Sequence, residues 1–198
     1  MLSLERIPML HQQATAYWHD ARSAPPVAEN ALEELVLRQH RANFDLWHTE
    51  DRARVPRVTG DEMIAIKHEI DRLNQQRNDL AEAIDTALLE AAPNQNGSAP
   101  LHSESPGLMI DRLSILALKI FHTGEEADRQ DAGPQHQERN RQRLALLTEQ
   151  RDDLAPALKE LWSQVLAGQR RFKLYRQMKM YNDPSLNPSV YNAPGSKP

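Results

Sequence analysis

Apolar residues recur every three or four positions along each long segment of this sequence, which is the spacing of one face of an α-helix. No segment alternates apolar and polar residues as a half-buried strand would. The long segments are rich in Leu, Ala, Glu, Gln and Arg, all of which favour helices. The sequence therefore predicts an all-α protein, with more than half of its residues helical and no sheet beyond a short stray pairing.

Capping residues and prolines mark the ends of the predicted helices. Asn30 with Glu33, and Thr59 with Glu62, have the spacing of capping pairs, and Ser105 is a cap followed by a proline at the first helical position. From these signals we predict a bundle of five to six helices. Their approximate ranges are 4–21, 28–54, 59–91, 105–126 and 135–180.

The last predicted helix is long and irregular. Pro156 is expected to kink or split it, because proline removes a backbone hydrogen bond, and Gly168 marks a second point at which it can break. We predict one helical bundle domain over residues 1–183. An extended, proline-rich tail is predicted to follow over residues 184–198.

Charge and composition narrow the classes of function. The 198-residue chain has a formal net charge of −4 and a pI near 6.1, which argues against a nucleic-acid partner because such proteins usually carry a basic excess. It has no cysteine, so disulfides, thiolate metal sites and cysteine catalysis are excluded. We recognise neither a signal peptide nor a window of roughly 20 apolar residues that would span a membrane. We therefore expect a soluble, cytoplasmic protein.

Polar residues interrupt the apolar face of the second predicted helix. The stripe that carries Val36, Phe44 and Trp47 also carries His40 and Asp51. The flank of the same helix adds three more polar residues, Asn43, Glu50 and Arg54. We expect His40 and Asp51 to be at least partly buried and to have partners, because an unpaired buried charge costs several kcal/mol.

A polar column runs beside the apolar face of the third predicted helix, within an arc of about 60°. Its members are Lys67, Asp71, Asn74, Asn78 and Asp85, and Arg77 lies within the apolar face itself. The fourth helix is apolar around most of its circumference and is predicted to be central, although Asp111, Arg112 and Ser114 interrupt it. We predict that Asp71, Asn74 and Asp111 are largely inaccessible and form hydrogen bonds to other helices or to a ligand.

These inner polar residues have two interpretations that the sequence leaves open. They can form a network that pairs helices, for example Asp71 with Arg112 or Asp51 with Arg77. They can instead form a ligand site at the centre of the bundle, and we favour this because so many functional groups exceed what helix register requires.

Two further groups of residues have weaker implications. Arg176 and Lys179 belong to a cation-rich segment that, if helical, can bind a phosphate-sized anion or can simply form a solvated helix end. His40 and His48 are eight residues apart, about 12 Å along a helix, which is too far to share one zinc ion. We therefore predict no metal ligands.

Four segments resemble a known family, the bacterial proteins grouped as domain of unknown function 4254 (DUF4254). They are residues 40–54, 70–79, 110–120 and 175–184, and the similarity extends over roughly residues 35–191. The resemblance implies a cytoplasmic helical protein often encoded among glycosyltransferases and other genes of lipopolysaccharide-type envelope glycans. It ranks sugar phosphates, nucleotide sugars and glycolipid precursors ahead of polynucleotides as ligands.

The favoured hypothesis is a protein that binds or acts on a phosphorylated or nucleotide-activated sugar in envelope glycan biosynthesis. Candidate catalytic groups, with roles unassigned, are His40, His48, Glu50, Asp51 and Asp71. Candidate ligand-binding residues are Asn43, Arg54, Lys67, Asn74, Arg77, Asn78, Asp111, Arg112, Arg176 and Lys179.

Two alternatives stay open. One is a non-catalytic adaptor of a glycosyltransferase that uses exposed helix faces and the tail. The other is an all-α, magnesium-dependent nucleotide phosphohydrolase, with carboxylates from Glu50, Asp51 and the series Asp79, Glu82 and Asp85. The sequence does not decide whether the protein is an enzyme, which cofactor it uses or whether it forms a homo-oligomer.

Overall fold

A computed structural model describes residues 3–178 and 185–188 of the chain. This part contains five helices: α1 (Ile7–His19), α2 (Ala31–Ala53), α3 (Gly60–Ala91), α4 (Pro106–Asp128) and α5 (Pro134–Leu166). It contains no strand, and its one isolated bridge joins Leu101 and Arg171. The prediction of an all-α bundle with at most a stray pairing is confirmed. No helix in these ranges has both the length and the apolar character needed to cross a membrane.

Side-chain caps begin three of the helices where the sequence predicted them. At the start of α2, the side chain of Asn30 accepts a hydrogen bond from the backbone N–H of Glu33 at 3.0 Å. Thr59 and Glu62 form a complete capping box at the start of α3, and Ser105 caps α4. These caps satisfy backbone N–H groups that have no partner within the first turn of a helix.

Helix α4 is the centre of the bundle. It packs against α1, α2, α3 and α5, and α2 and α3 form a second close pair. Ile110, Leu113 and Leu118 of α4 are at most 1% exposed, and Leu158 and Trp162 of α5 pack in the same core. The predicted central position of the fourth helix is confirmed.

The last helix is shorter than predicted because a glycine ends it. Gly168 has a φ of +70°, in the left-handed region that favours glycine. Its N–H bonds to the carbonyl of Val165 at 3.1 Å, and the N–H of Gln169 bonds to the carbonyl of Gln164 at 2.8 Å. This pair of bonds is a Schellman motif, which ends a helix. Helix α5 does continue through Pro156, so the proline does not split it.

The cation-rich segment after α5 is therefore not helical up to residue 178, the last residue of it that the structure describes. Phe172 returns to the core at 2% exposure, whereas the side chain of Arg176 is exposed and lies 3.8 Å from Glu82 on α3. The helix predicted over 135–180 does not include Arg176, since α5 ends at Leu166. Lys179 lies outside the described residues, as does most of the predicted tail.

Helices α3 and α4 approach each other closely at Gly107. A Cβ atom there would collide with the backbone oxygen of Ala81 and would lie 2.8 Å from Cγ of Asp85. The Asp85 carboxylate accepts hydrogen bonds from the N–H of Gly107 at 2.6 Å and from the hydroxyl of Ser105. The first turn of α4 is thus fixed onto the second half of α3.

We expect Gly107→Ala to lower the free energy of unfolding by about 1–3 kcal/mol, because the added methyl group has no space. Gly124 in the same helix is a matched control, since nothing lies within 4 Å of its Cβ position. Gly124→Ala should raise stability by about 0.5–1 kcal/mol through helix propensity alone. Urea denaturation of the two variants checks this, and a shift of both in the same direction would contradict the close approach.

Candidate functional site

A buried carboxylate on the central helix collects polar side chains from α2 and α3. The Oδ1 atom of Asp111 accepts hydrogen bonds from Nδ2 of Asn43 at 2.9 Å, from Nε of Arg77 at 2.7 Å and from Nε2 of Gln39. A second bond from Nη2 of Arg77 to Oδ2 makes the ion pair bidentate. Arg77 therefore pairs with Asp111, and the suggested pair with Asp51 is wrong.

A chain of hydrogen bonds continues from Asn43 to α1, and its direction is fixed. The Thr15 hydroxyl donates to the carbonyl of His11 at 2.8 Å, so it must accept the 2.9 Å bond from Nε2 of His40. The neutral imidazole then has its lone pair on Nδ1, which accepts from the Ser114 hydroxyl at 2.7 Å. Ser114 in turn accepts from Nδ2 of Asn43 at 2.9 Å.

Burial keeps His40 and the neighbouring His11 neutral. Desolvation lowers the pKa of His40 to about 3, although a bond to the backbone of His11 opposes this. Desolvation, and then electrostatic repulsion between the two rings if both were protonated, lower the pKa of His11 well below its ordinary value. The ring nitrogens of His11 have no hydrogen-bond partner among the described residues. His40, a candidate acid or base, is thus enclosed with both nitrogens occupied.

An open pocket of about 340 Å³ lies between α2, α3 and α4, next to this network. Five predicted site residues line it: Asn43, Glu50, Asp51, Arg54 and Arg77. Trp47 supplies an aromatic wall, and Leu46, Ile115 and Leu118 supply apolar surface. We call this space the Trp47 pocket.

The charges of the Trp47 pocket differ in how firmly they are held. Arg54 pairs with Glu50 at 3.1 Å, and its side chain is 68% exposed. Arg77 is held by Asp111, which raises the pKa of its guanidinium through their hydrogen bonds. Asp51 was expected to be at least partly buried, but its side chain is 58% exposed because the last turn of α2 extends beyond the core. The pocket therefore has one arginine, Arg77, that a buried carboxylate holds in place, and one arginine, Arg54, whose ion-pair partner a ligand can readily displace.

Other predicted site residues lie away from the pocket. Lys67 and Asp71 form an ion pair along α3, and the amide of Asn74 donates to its own helix at 3.0 Å. Arg112 pairs with Glu104 at 2.8 Å rather than with Asp71.

Burial along α3 explains these differences. The prediction that Asp71 and Asn74 are largely inaccessible is wrong, since both are only partly buried, whereas Asp111 is 6% exposed as predicted. The start of α3 extends past α4, and Ile66 is its only buried residue before Leu73. The two members of the column nearest the C-terminal end of α3, Asn78 and Asp85, are buried.

Three histidines from three helices meet beside Trp47. His19 ends α1, His48 lies in α2 and His122 lies in α4, and each has a ring nitrogen within 4.8 Å of the other two. Burial, and then the two neighbouring rings, lower the pKa of His48. Spacing rules missed this set because they relate residues within one helix. His48 was compared only with His40.

The fold and the pocket define the class of protein: an all-α bundle whose polar site is built by side chains from several helices. The chain belongs to the family described as protein of unknown function DUF4254, whose model matches residues 33–174. The matched range includes nearly all of α2, the whole of α3 to α5 and every residue that lines the Trp47 pocket. Comparison with curated proteins and with solved structures gave no match.

Proposed function

We propose that this protein binds or acts on a phosphorylated or nucleotide-activated sugar at the Trp47 pocket, in the cytoplasm, during the synthesis of lipopolysaccharide-type envelope glycans. The observation that carries the proposal is the convergence of five predicted site residues on one space beside a tryptophan. The resemblance given above supplies the choice of a sugar.

The chemistry of the lining suits such a ligand. The volume of about 340 Å³ lies within the range of small-molecule sites, which is roughly 300–1,000 Å³. The ring of Trp47 offers an apolar face against which the C–H groups of a sugar can pack. The carboxylates of Glu50 and Asp51 can accept hydrogen bonds from hydroxyl groups, and Arg54 and Arg77 can donate to a phosphate.

The two arginines would contribute differently. Arg54 is exposed, and its pair with Glu50 is of the kind that contributes only about 0–1 kcal/mol, so a phosphate can displace Glu50 at little cost. Arg77 uses the N–H of Nε and one N–H of Nη2 to bind Asp111, which leaves the two N–H groups of Nη1 and the second of Nη2 for a ligand. Arg54 is therefore the better test of anion binding, because its replacement does not break the buried network.

For an enzyme acting on such a sugar, Glu50 and Asp51 are the carboxylates within the pocket and would supply acid or base groups. For the phosphohydrolase alternative, Asp85 is already bound to the first turn of α4, and Asp79 accepts from Gln75 at 2.7 Å on the exposed face of α3. Glu50 and Asp51 would then have to hold magnesium without them.

A thermal-shift screen with sugar phosphates, nucleotide sugars and nucleotides tests the proposal. A ligand at one hundred times its dissociation constant adds about 2.7 kcal/mol, which corresponds to a rise of about 5–10 °C for a chain of this size. Arg54→Gln and Trp47→Ala should reduce this rise. Arg112→Gln is the matched control, because Arg112 is exposed and pairs with Glu104 outside the pocket.

The screen also separates the alternatives. A shift that requires magnesium would favour the phosphohydrolase. If no compound in the panel raises the midpoint while a glycosyltransferase co-purifies with the protein, the adaptor should replace the present proposal.

A further inference from the structure

The three histidines beside Trp47 have defined tautomers at two of their rings. Nδ1 of His19 bonds to the carbonyl of Thr15 at 2.7 Å, and Nδ1 of His122 bonds to Oε2 of Glu125 at 2.9 Å. Both partners accept hydrogen bonds, so in the neutral form of each ring Nδ1 carries the proton and Nε2 carries the lone pair.

The Nε2 atoms of the three rings share an unusual environment. Those of His19, His48 and His122 are all buried, and none has a hydrogen-bond partner among the described residues. Buried polar atoms are rarely left unpaired, because each costs the free energy of its lost hydration. Three such nitrogens from three different helices in one place require an explanation.

We propose that His19, His48 and His122 bind a divalent transition-metal ion such as Zn²⁺ through their Nε2 atoms. Imidazole nitrogens are preferred ligands of zinc, and the chain has no cysteine that could compete. Zinc–nitrogen bonds of about 2.0–2.1 Å in a tetrahedron place the nitrogens about 3.3 Å apart. One ring nitrogen of each histidine lies within 4.8 Å of those of the other two, so the rings must move closer together by about 1.5 Å to hold the ion.

The surroundings of the histidines match those of metal-binding rings. A ligating histidine usually donates its other N–H to a carbonyl or carboxylate, as His19 and His122 do here. The rings are also held by stacking, His19 on Phe121 at 4.2 Å and His122 on Trp47 at 5.0 Å between centroids.

Three protein ligands leave a fourth position for water or substrate, as in catalytic rather than structural zinc sites. Trp47 stacks on His122 and also lines the Trp47 pocket, so the metal would lie one aromatic ring away from the proposed sugar site. The metal site does not depend on the identity of the sugar, and it is tested with the metal alone.

Calorimetric titration of untagged, chelator-treated protein with Zn²⁺ is the first experiment. We expect one ion per chain, and we expect Co²⁺ at the same site to give the visible absorption of a tetrahedral complex. His48→Gln and His122→Gln should each weaken binding by more than 100-fold. Glu125→Ala, which removes the acceptor of His122 Nδ1, should weaken it by about 10–100-fold. His68→Gln is the control, since His68 lies exposed on α3.

Imidazole nitrogen NMR of the wild-type protein keeps the test valid if a variant fails to fold. Zn²⁺ should shift the Nε2 signals of His19, His48 and His122 and leave the Nδ1–H of His19 and His122 in place. The absence of Zn²⁺ binding, or binding that the variants leave unchanged, would show that the three rings only pack against one another and would overturn the proposal.

Discussion

Replacing Asp111 with alanine is expected to lower the free energy of unfolding by about 3–5 kcal/mol, because it leaves a mostly buried arginine without its counter-ion. The Arg77 side chain is 25% exposed, so water can reach part of it, and the effect should lie near the lower limit. The amides of Gln39 and Asn43 also lose an acceptor.

Asp71→Ala is the matched control for this prediction. It removes a partly exposed carboxylate that, among the described residues, pairs with Lys67 on its own helix, so its effect should stay within about 0.5 kcal/mol. Urea denaturation at pH 7 measures both variants. Equal midpoints for the two would show that the Asp111 network does not hold the helices together.

A double-mutant cycle separates the ion pair from the rest of the network. Arg77→Met alone removes the charge that Asp111 neutralises, and Asp111→Leu alone leaves Arg77 without its partner. The double variant should be more stable than the sum of the single losses predicts, by about 0.5–3 kcal/mol, because neither charge is then left unpaired.

The second large effect is a loss of stability in mild acid. The pKa of His40 is about 3 in the folded protein and about 6.5 in the unfolded chain. Below pH 6.5 the unfolded chain therefore binds a proton that the folded protein does not. Above pH 6.5 the protonation of His40 does not change the free energy of unfolding. Below pH 6.5 that free energy falls by about 1.4 kcal/mol for each pH unit, down to about pH 3. His11 acts in the same direction, since its pKa is also lowered.

Asp85 opposes this effect over part of the range. Burial raises its pKa to about 6, so between about pH 4 and pH 6 the folded protein binds its proton more tightly than the unfolded chain does. Acidification through that window adds stability at Asp85 while it removes stability at the two histidines. The net dependence of the free energy of unfolding on pH in this window is therefore the effect of the two histidines, reduced by the opposite effect of Asp85.

His11→Leu isolates one histidine without breaking a side-chain hydrogen bond, because neither ring nitrogen of His11 has a partner among the described residues. We expect this variant to lose less stability than the wild type as the pH falls below 6.5, because its unfolded chain no longer binds a proton at this position that the folded protein does not bind. Gln12→Leu, on the exposed face of α1, controls for the added leucine. Parallel pH profiles for His11→Leu and the wild type would contradict the buried, neutral state of His11.

The sequence predicted the features that depend on local rules. Helix starts followed from side chains such as Asn30 and Thr59, and the central position of α4 followed from its nearly continuous apolar surface. The meeting of Arg77 with the inner polar residues was also foreseeable, because a single arginine within an apolar face needs a partner.

What the sequence could not supply depends on the register between helices. Both Asp51 and Asp111 were available to Arg77, and only the way α4 packs on α3 selects Asp111. The exposure of Asp71 depends on how far α3 extends past α4. The spacing of apolar residues in the sequence does not indicate this length. Likewise, the meeting of His19, His48 and His122 requires three helix orientations at once.

The direction of the hydrogen-bond chain from Ser114 through His40 to Thr15 limits how α1 can be placed. Its apolar residues, such as Leu10 and Ala14, would fill similar space if the helix slid by one turn, about 5.4 Å. After such a slide, the position of the Thr15 hydroxyl would be taken by the ring of His11 or His19, and Nε2–H of His40 would lose its acceptor. The proton on Nε2 of His40 thus selects a single register for α1, a short and mostly apolar helix, against the rest of the bundle.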